Sequence, residues 1–183
     1  MSATPFPPLR RDPLLAAAKV LLILLMAIVI FAMSMVVIGI GAILTIGRTE
    51  LLAEVAAAGA PPLAYWAVLA LMLLVAGALF LALRFAIELR RIVLSVEDGD
   101  PFDPANALRL ARMGWLALGV WLVHIPLALI GAWLTPYAVA AGEDWQIEWD
   151  AGIESLFLIL VLFILARVFR QGAAMRDDLE GTV

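Results

Sequence analysis

Four long apolar segments, separated by polar ones, dominate the pattern of this chain. They lie at residues 20–46, 63–83, 113–134 and 153–168. A helix needs about 20 apolar residues to cross a hydrocarbon core of about 30 Å, at 1.5 Å per residue. The first segment is 27 residues long and carries no charge. The pattern therefore predicts an all-α fold, an integral-membrane four-helix transmembrane bundle in a single domain over residues 1–183.

The first segment follows Arg10, Arg11 and Lys19. A basic start is also typical of a signal peptide, but the apolar core of a signal peptide is only about 7–15 residues long. We therefore expect the first segment to be retained as a membrane span.

The second apolar segment has no obvious stop at Arg84. Apolar residues continue at helical spacing as far as Val96. Glu88 lies on a neighbouring face, where it can pair with Arg84 or Arg91 at four- or three-residue spacing. We therefore expect the helix to leave the membrane as an amphipathic extension that ends near Asp98.

A polar connection follows this extension and joins it to a new helix. Gly99 suits the left-handed residue just beyond a helix end, and Pro101 prevents further helix. Asp103 is a predicted N-cap, with Pro104 at the first helical position. Residues 84–112 should thus form a helical hairpin between spans two and three, projecting about 15–20 Å into water.

The two arms of this hairpin are expected to meet along apolar edges. The predicted contact edges are Phe85, Leu89 and Ile92 before the connection, and Leu108, Ala111 and Trp115 after it.

The polar segments on the opposite side are residues 47–62 and 135–152. The alanine-rich stretch after Arg48 predicts that the first helix continues until Pro61 and Pro62 end it. Aromatic residues that favour the bilayer interface gather on this side. They are Tyr65, Trp66, Trp133, Tyr137, Trp145 and Trp149.

Charge predicts the orientation. Of the twelve basic residues, only Arg48 lies on the side of these two loops. Loops that stay in the cytoplasm are enriched in lysine and arginine. Both termini and the hairpin are therefore expected in the cytoplasm.

Composition narrows the chemistry. The chain is 65% hydrophobic and 15% charged, with no cysteine and one histidine. Disulfides, thiol catalysis and clusters of cysteine or histidine ligands are thereby excluded within one chain. No span carries a nucleophile with a base, or paired carboxylates, so we expect no enzyme activity and no cofactor. The acidic connection lacks the ligand spacing of a calcium loop, so we expect no metal. Alanine pairs in the spans are too common to specify a dimer, which leaves the oligomeric state open.

His124 is an ionisable group inside a predicted span, which is a functional hypothesis by default. No span offers it a charged partner. A neutral ring could instead bond a nearby carbonyl, since Pro126 frees that of Leu122, or could bond Ser34. The alternative is a proton-linked or small-molecule transporter or channel component that uses His124, with Ser34 as the other intramembrane polar residue.

Arginines surround the predicted cytoplasmic end. Their simplest role is to bind the anionic lipid headgroups of the bilayer. The functional alternative is a surface for a partner protein. Direct binding of nucleic acid is not expected, because interleaved acidic residues cancel the field that it needs.

Two motifs in the cytoplasmic parts carry a family resemblance. The first comprises Gly99-Asp100-Pro101-Phe102, Asn106 and the run from Arg109 to Gly114; the second is Val168-Phe169-Arg170-Gln171-Gly172, with Thr182-Val183 at the end. Together they resemble a bacterial four-span membrane family known as domain of unknown function 2975. Met175 and Gly181 depart from its pattern.

The resemblance implies a multi-pass protein of the bacterial inner membrane. It also implies a non-enzymatic role as membrane partner or anchor of a small cytoplasmic helix-turn-helix transcriptional regulator. The residues expected to bind that partner are Gly99, Pro101, Phe102, Asn106, Arg109, Phe169, Arg170 and Gly172.

Overall fold

A computed structural model describes residues 13–100, 103–142 and 152–180. Five helices make up the described chain. They are α1 (Pro13–Thr45), α2 (Arg48–Ala57), α3 (Leu63–Glu97), α4 (Pro104–Ala140) and α5 (Ile153–Glu180). All except α2 are long and apolar enough to cross a membrane. The predicted all-α fold, with four helices able to span a membrane, is thus confirmed.

The predicted continuation of the second span is correct, because helix α3 runs through Arg84 without a break. Helix α5 likewise continues well past Val168. The predicted continuation of the first helix past Arg48 is wrong. The chain turns at Ile46 and Gly47, and α2 begins as a separate short helix. At the far end of the third span, α4 extends to Ala140, into the segment predicted as a loop.

The helices pack in a definite order. Helix α3 packs against α4, α4 against α5, and α1 against α3. Helices α3 and α4 therefore form a central antiparallel pair, with α1 on the side of α3 and α5 on the side of α4. Most large apolar side chains on α1 face outward, as expected of a helix that lipid surrounds.

A small core joins α3, α4 and α5 near the α3–α4 connection. Its buried members are Leu110, Met113, Leu162 and Ala166, and Phe85, Leu89, Ile92 and Phe169 pack around them. The predicted edge on α3 and the position of Ala111 are correct. The prediction that Leu108 and Trp115 also belong to the contact edge of α4 is wrong, because these residues are 54% and 65% exposed. The α4 helix is rotated so that Leu110 and Met113 face the core.

Candidate functional site

The connection between α3 and α4 has the predicted local geometry. Gly99 has φ +86°, which is the left-handed conformation that glycine adopts at little cost. The Asp103 carboxylate accepts a hydrogen bond from the backbone N–H of Ala105 at 2.9 Å, so it caps α4, and Pro104 begins that helix. Pro101 and Phe102 lie outside the described residues.

Basic side chains from three helices reach the acidic residues of this connection. Lys19 of α1 pairs with Glu97, and Arg176 of α5 pairs with Asp100. Arg109 of α4 lies 3.7 Å from Asp103. These carboxylates are therefore engaged by separate cations. The α3–α4 hairpin does not stand alone, since α1 and α5 both extend to its tip.

Asn106 lies at the centre of this end of the molecule, with no exposed surface. Its Nδ2 donates to Ser95 Oγ at 2.7 Å, and its Oδ1 accepts from Arg109 at 2.7 Å. Ser95 in turn donates to the carbonyl of Ile92 at 2.8 Å. Asn106 therefore links α3 to α4 and orients Arg109. Because it is buried, it can act on a partner only through these neighbours.

Glu88 is the second buried polar group of the α3–α4 interface, with 2% of its surface exposed. Its Oε1 lies 3.1 Å from Arg91, as the spacing predicted, and 3.9 Å from Arg112. Its Oε2 is buried and has no hydrogen-bond partner among the described residues. The sequence indicates that Glu88 can pair with Arg91, but it does not indicate that Glu88 is buried. The seven-residue interval from Glu88 to Ser95 was the available signal, since it places both on one helix face.

The remaining predicted partner-binding residues lie on α5. Phe169 packs against the core, whereas Arg170 is exposed and Gly172 is half-buried. Arg170 belongs to a larger set of exposed arginines near this end, which we call the arginine end. Its members are Arg84, Arg90, Arg91, Arg112, Arg167 and Arg170.

The opposite end of the bundle is aromatic. Tyr65 and Trp66 meet edge to face, with ring centroids 5.2 Å apart, and Trp133 and Tyr137 do so at 5.7 Å. Trp66 and Trp133 line one shared surface depression. Between Trp66 and Arg84, α3 rises about 27 Å, close to the ~30 Å thickness of a hydrocarbon core. Trp145 and Trp149 lie outside the described residues.

His124 and Ser34 do not meet. The Nδ1 atom of His124 lies 2.8 Å from the carbonyl of Val120, and Ser34 donates to the carbonyl of Ile30 at 2.8 Å. His124 thus bonds a nearby carbonyl and not Ser34, but the carbonyl is that of Val120 and not that of Leu122, to which Pro126 pointed. His124 lines a cavity of about 340 Å³ among α1, α3, α4 and α5.

Four long apolar helices, with arginines at one end and aromatic residues at the other, define a membrane protein. A family model described as "Protein of unknown function (DUF2975)" matches residues 44–183. The chain belongs to this family, as its motifs predicted. Searches among curated proteins and among solved structures each found no match.

Proposed function

We propose that this protein is a multi-pass inner-membrane anchor that binds a small cytoplasmic helix-turn-helix regulator at its arginine end. The observation that supports this proposal is the group of exposed arginines beside the α3–α4 connection, which side chains of α1, α4 and α5 hold in place. A connection held in place by ion pairs suits a protein partner, because little conformational freedom of the connection is lost when the partner binds. The nature of the partner comes from the family resemblance alone.

Charge complementarity specifies the partner's docking face. Arg112, Arg167 and Arg170 project from α4 and α5 and are exposed. The surface of the regulator that binds these arginines should therefore carry acidic side chains. The regulator would then keep its basic nucleic-acid-binding surface turned away from the membrane protein.

The proposal requires the arginine end to face the cytoplasm. The excess of basic residues at this end supports that orientation. The chain has no cysteine, so single cysteines can be introduced cleanly. An impermeant maleimide added to intact spheroplasts should label Ala141→Cys but not Asp98→Cys. Labelling of Asp98→Cys alone would reverse the orientation and exclude the anchor role.

The binding test uses the full chain in nanodiscs of zwitterionic lipid, which removes competing anionic headgroups. The probe is a purified small helix-turn-helix regulator, the class of partner that the family resemblance implies. Binding should weaken about tenfold, or about 1.4 kcal/mol, in the double variant Arg167→Ser/Arg170→Ser. Arg48→Ser, at the aromatic end, is the matched control and should bind like the wild type. Lack of binding by the wild type, or equal binding by the double variant, would refute the proposal.

The second candidate function is transport. It is favoured by the position of His124 on a cavity among four helices. However, transporter sites are usually built around discontinuous helices near the midplane. Within the described residues, α4 continues unbroken through Pro126. Uptake of a substrate into proteoliposomes, lost in His124→Leu, would favour transport over anchoring.

A further inference from the structure

The cavity that contains His124 has the size of a small-molecule site. Its volume of about 340 Å³ falls within the usual range of roughly 300–1,000 Å³. Its walls are leucine, isoleucine, valine, alanine and phenylalanine side chains, with Trp121, His124 and Ser155 as the exceptions. Such walls exclude a charged or sugar-like ligand, because burying its polar groups without partners is unfavourable.

The cavity lies where the bundle is open. Helix α1 packs on α3 and α5 packs on α4, so the central pair separates the two outer helices. Leu22 of α1 and Ile159 of α5 nevertheless line the same cavity. A lipid-soluble molecule could therefore enter between α1 and α5 without separating the tightly packed α3–α4 pair.

The hydrogen bonding of His124 indicates what this molecule must carry. A carbonyl can only accept, so Nδ1, which bonds the Val120 carbonyl, is the protonated nitrogen. In the neutral ring, Nε2 is then an acceptor. The ring is exposed, whereas the indole nitrogen of Trp121 is closed off. An acyl chain could fill the volume but would leave Nε2 without a donor in an apolar site.

We propose that this cavity binds a lipid-soluble alcohol or phenol, whose hydroxyl donates to Nε2 of His124 while its apolar body fills the space between α1 and α5. The site is distinct from the arginine end and does not depend on regulator binding. The hydroxyl would pair the ring nitrogen of His124 that does not bond the Val120 carbonyl.

The experiment exploits the fact that His124 is the only histidine. Protein carrying ring-¹⁵N histidine and a non-histidine affinity tag is placed in nanodiscs, so that its ring nitrogen signals belong to one residue. It is then titrated with 4-hexylphenol and, separately, with hexylbenzene, which lacks only the hydroxyl. We expect a saturable shift of the Nε2 signal with the phenol and none with the benzene.

Two alanine variants on α4 localise the effect. Ala117 lines the cavity, so Ala117→Leu should fill it and weaken phenol binding at least tenfold, or about 1.4 kcal/mol. Ala132 is exposed and lies outside the cavity lining, so Ala132→Leu should bind like the wild type. Equal shifts with the phenol and the benzene would overturn the proposal. So would unchanged binding in Ala117→Leu, or an Nε2 signal already bonded to a donor before any addition.

Discussion

Asn106 and Ser95 hold the two central helices together close to the point where the chain reverses. Asn106 Nδ2 lies 2.7 Å from Ser95 Oγ, and the asparagine is completely buried. The bond crosses the α3–α4 interface one turn from the cap at Asp103. The pairing of α3 with α4 therefore explains the asparagine at position 106. The geometry of the turn alone does not require an asparagine there.

Asn106→Ala should lower the free energy of unfolding by about 1–3 kcal/mol, because Ser95 and Arg109 each lose a buried partner. Unfolding by sodium dodecyl sulfate in detergent micelles, followed by circular dichroism, measures the change. The exposed Asp98 is the matched control, and Asp98→Ala should change stability by less than about 0.5 kcal/mol. Equal effects of the two substitutions would contradict the assignment.

Removing the two arginines that pair with Glu88 should destabilise the protein more than removing Glu88 itself. Its carboxylate is 3% exposed, whereas the Arg91 and Arg112 side chains are 52% and 62% exposed. The double variant Arg91→Ala/Arg112→Ala leaves a buried carboxylate unpaired, and should cost about 3 kcal/mol. Glu88→Met removes the buried charge, leaves two arginines that water can solvate, and should be nearly neutral. The same unfolding assay measures the stability of both variants. A larger loss of stability in Glu88→Met than in the double variant would refute this account.

Gly114 permits the close approach of α4 and α5. A Cβ there would lie 3.0 Å from two ring atoms of Phe163, whose ring also packs edge to face on Trp115 at 5.4 Å. Gly114→Ala should therefore destabilise the protein by about 1–3 kcal/mol through overpacking. Gly77, also inside a spanning helix, has no atom within 4 Å of the same position. Gly77→Ala is the control and should be neutral or slightly stabilising.

Lys19 and Glu97 should contribute more to the arrangement of the helices than to stability. Their side chains are 29% and 43% exposed, and ion pairs this accessible contribute at most about 1 kcal/mol. Glu97→Ala should thus leave unfolding almost unchanged. The pair Lys19→Cys/Glu97→Cys should cross-link readily with a short bifunctional thiol reagent. Lys19→Cys/Thr45→Cys, about 39 Å apart along the axis of α1, is the control and should not cross-link. Absence of a cross-link in the Lys19→Cys/Glu97→Cys pair would exclude the described packing of α1 on α3.

Much of the architecture could be predicted from local pattern alone. Apolar segment length predicted four spanning helices, and helical spacing predicted the passage of α3 through Arg84. Gly99, Asp103 and Pro104 specified how one helix stops and the next starts. These features depend on residues close together in the chain, so one sequence contains the information. The family motifs were likewise visible as short strings.

Only the tertiary structure decided which faces meet. The rotation of α4 buries Leu110 and Met113 and exposes Leu108 and Trp115. A helix in lipid carries apolar residues on all sides, so its periodicity does not distinguish a lipid-facing residue from a helix-facing one. For the same reason, the burial of Glu88 and Asn106 depended on partners from another helix. The sequence by itself determined the spans and the turn, and helix packing decided the polar contacts and the cavity at His124.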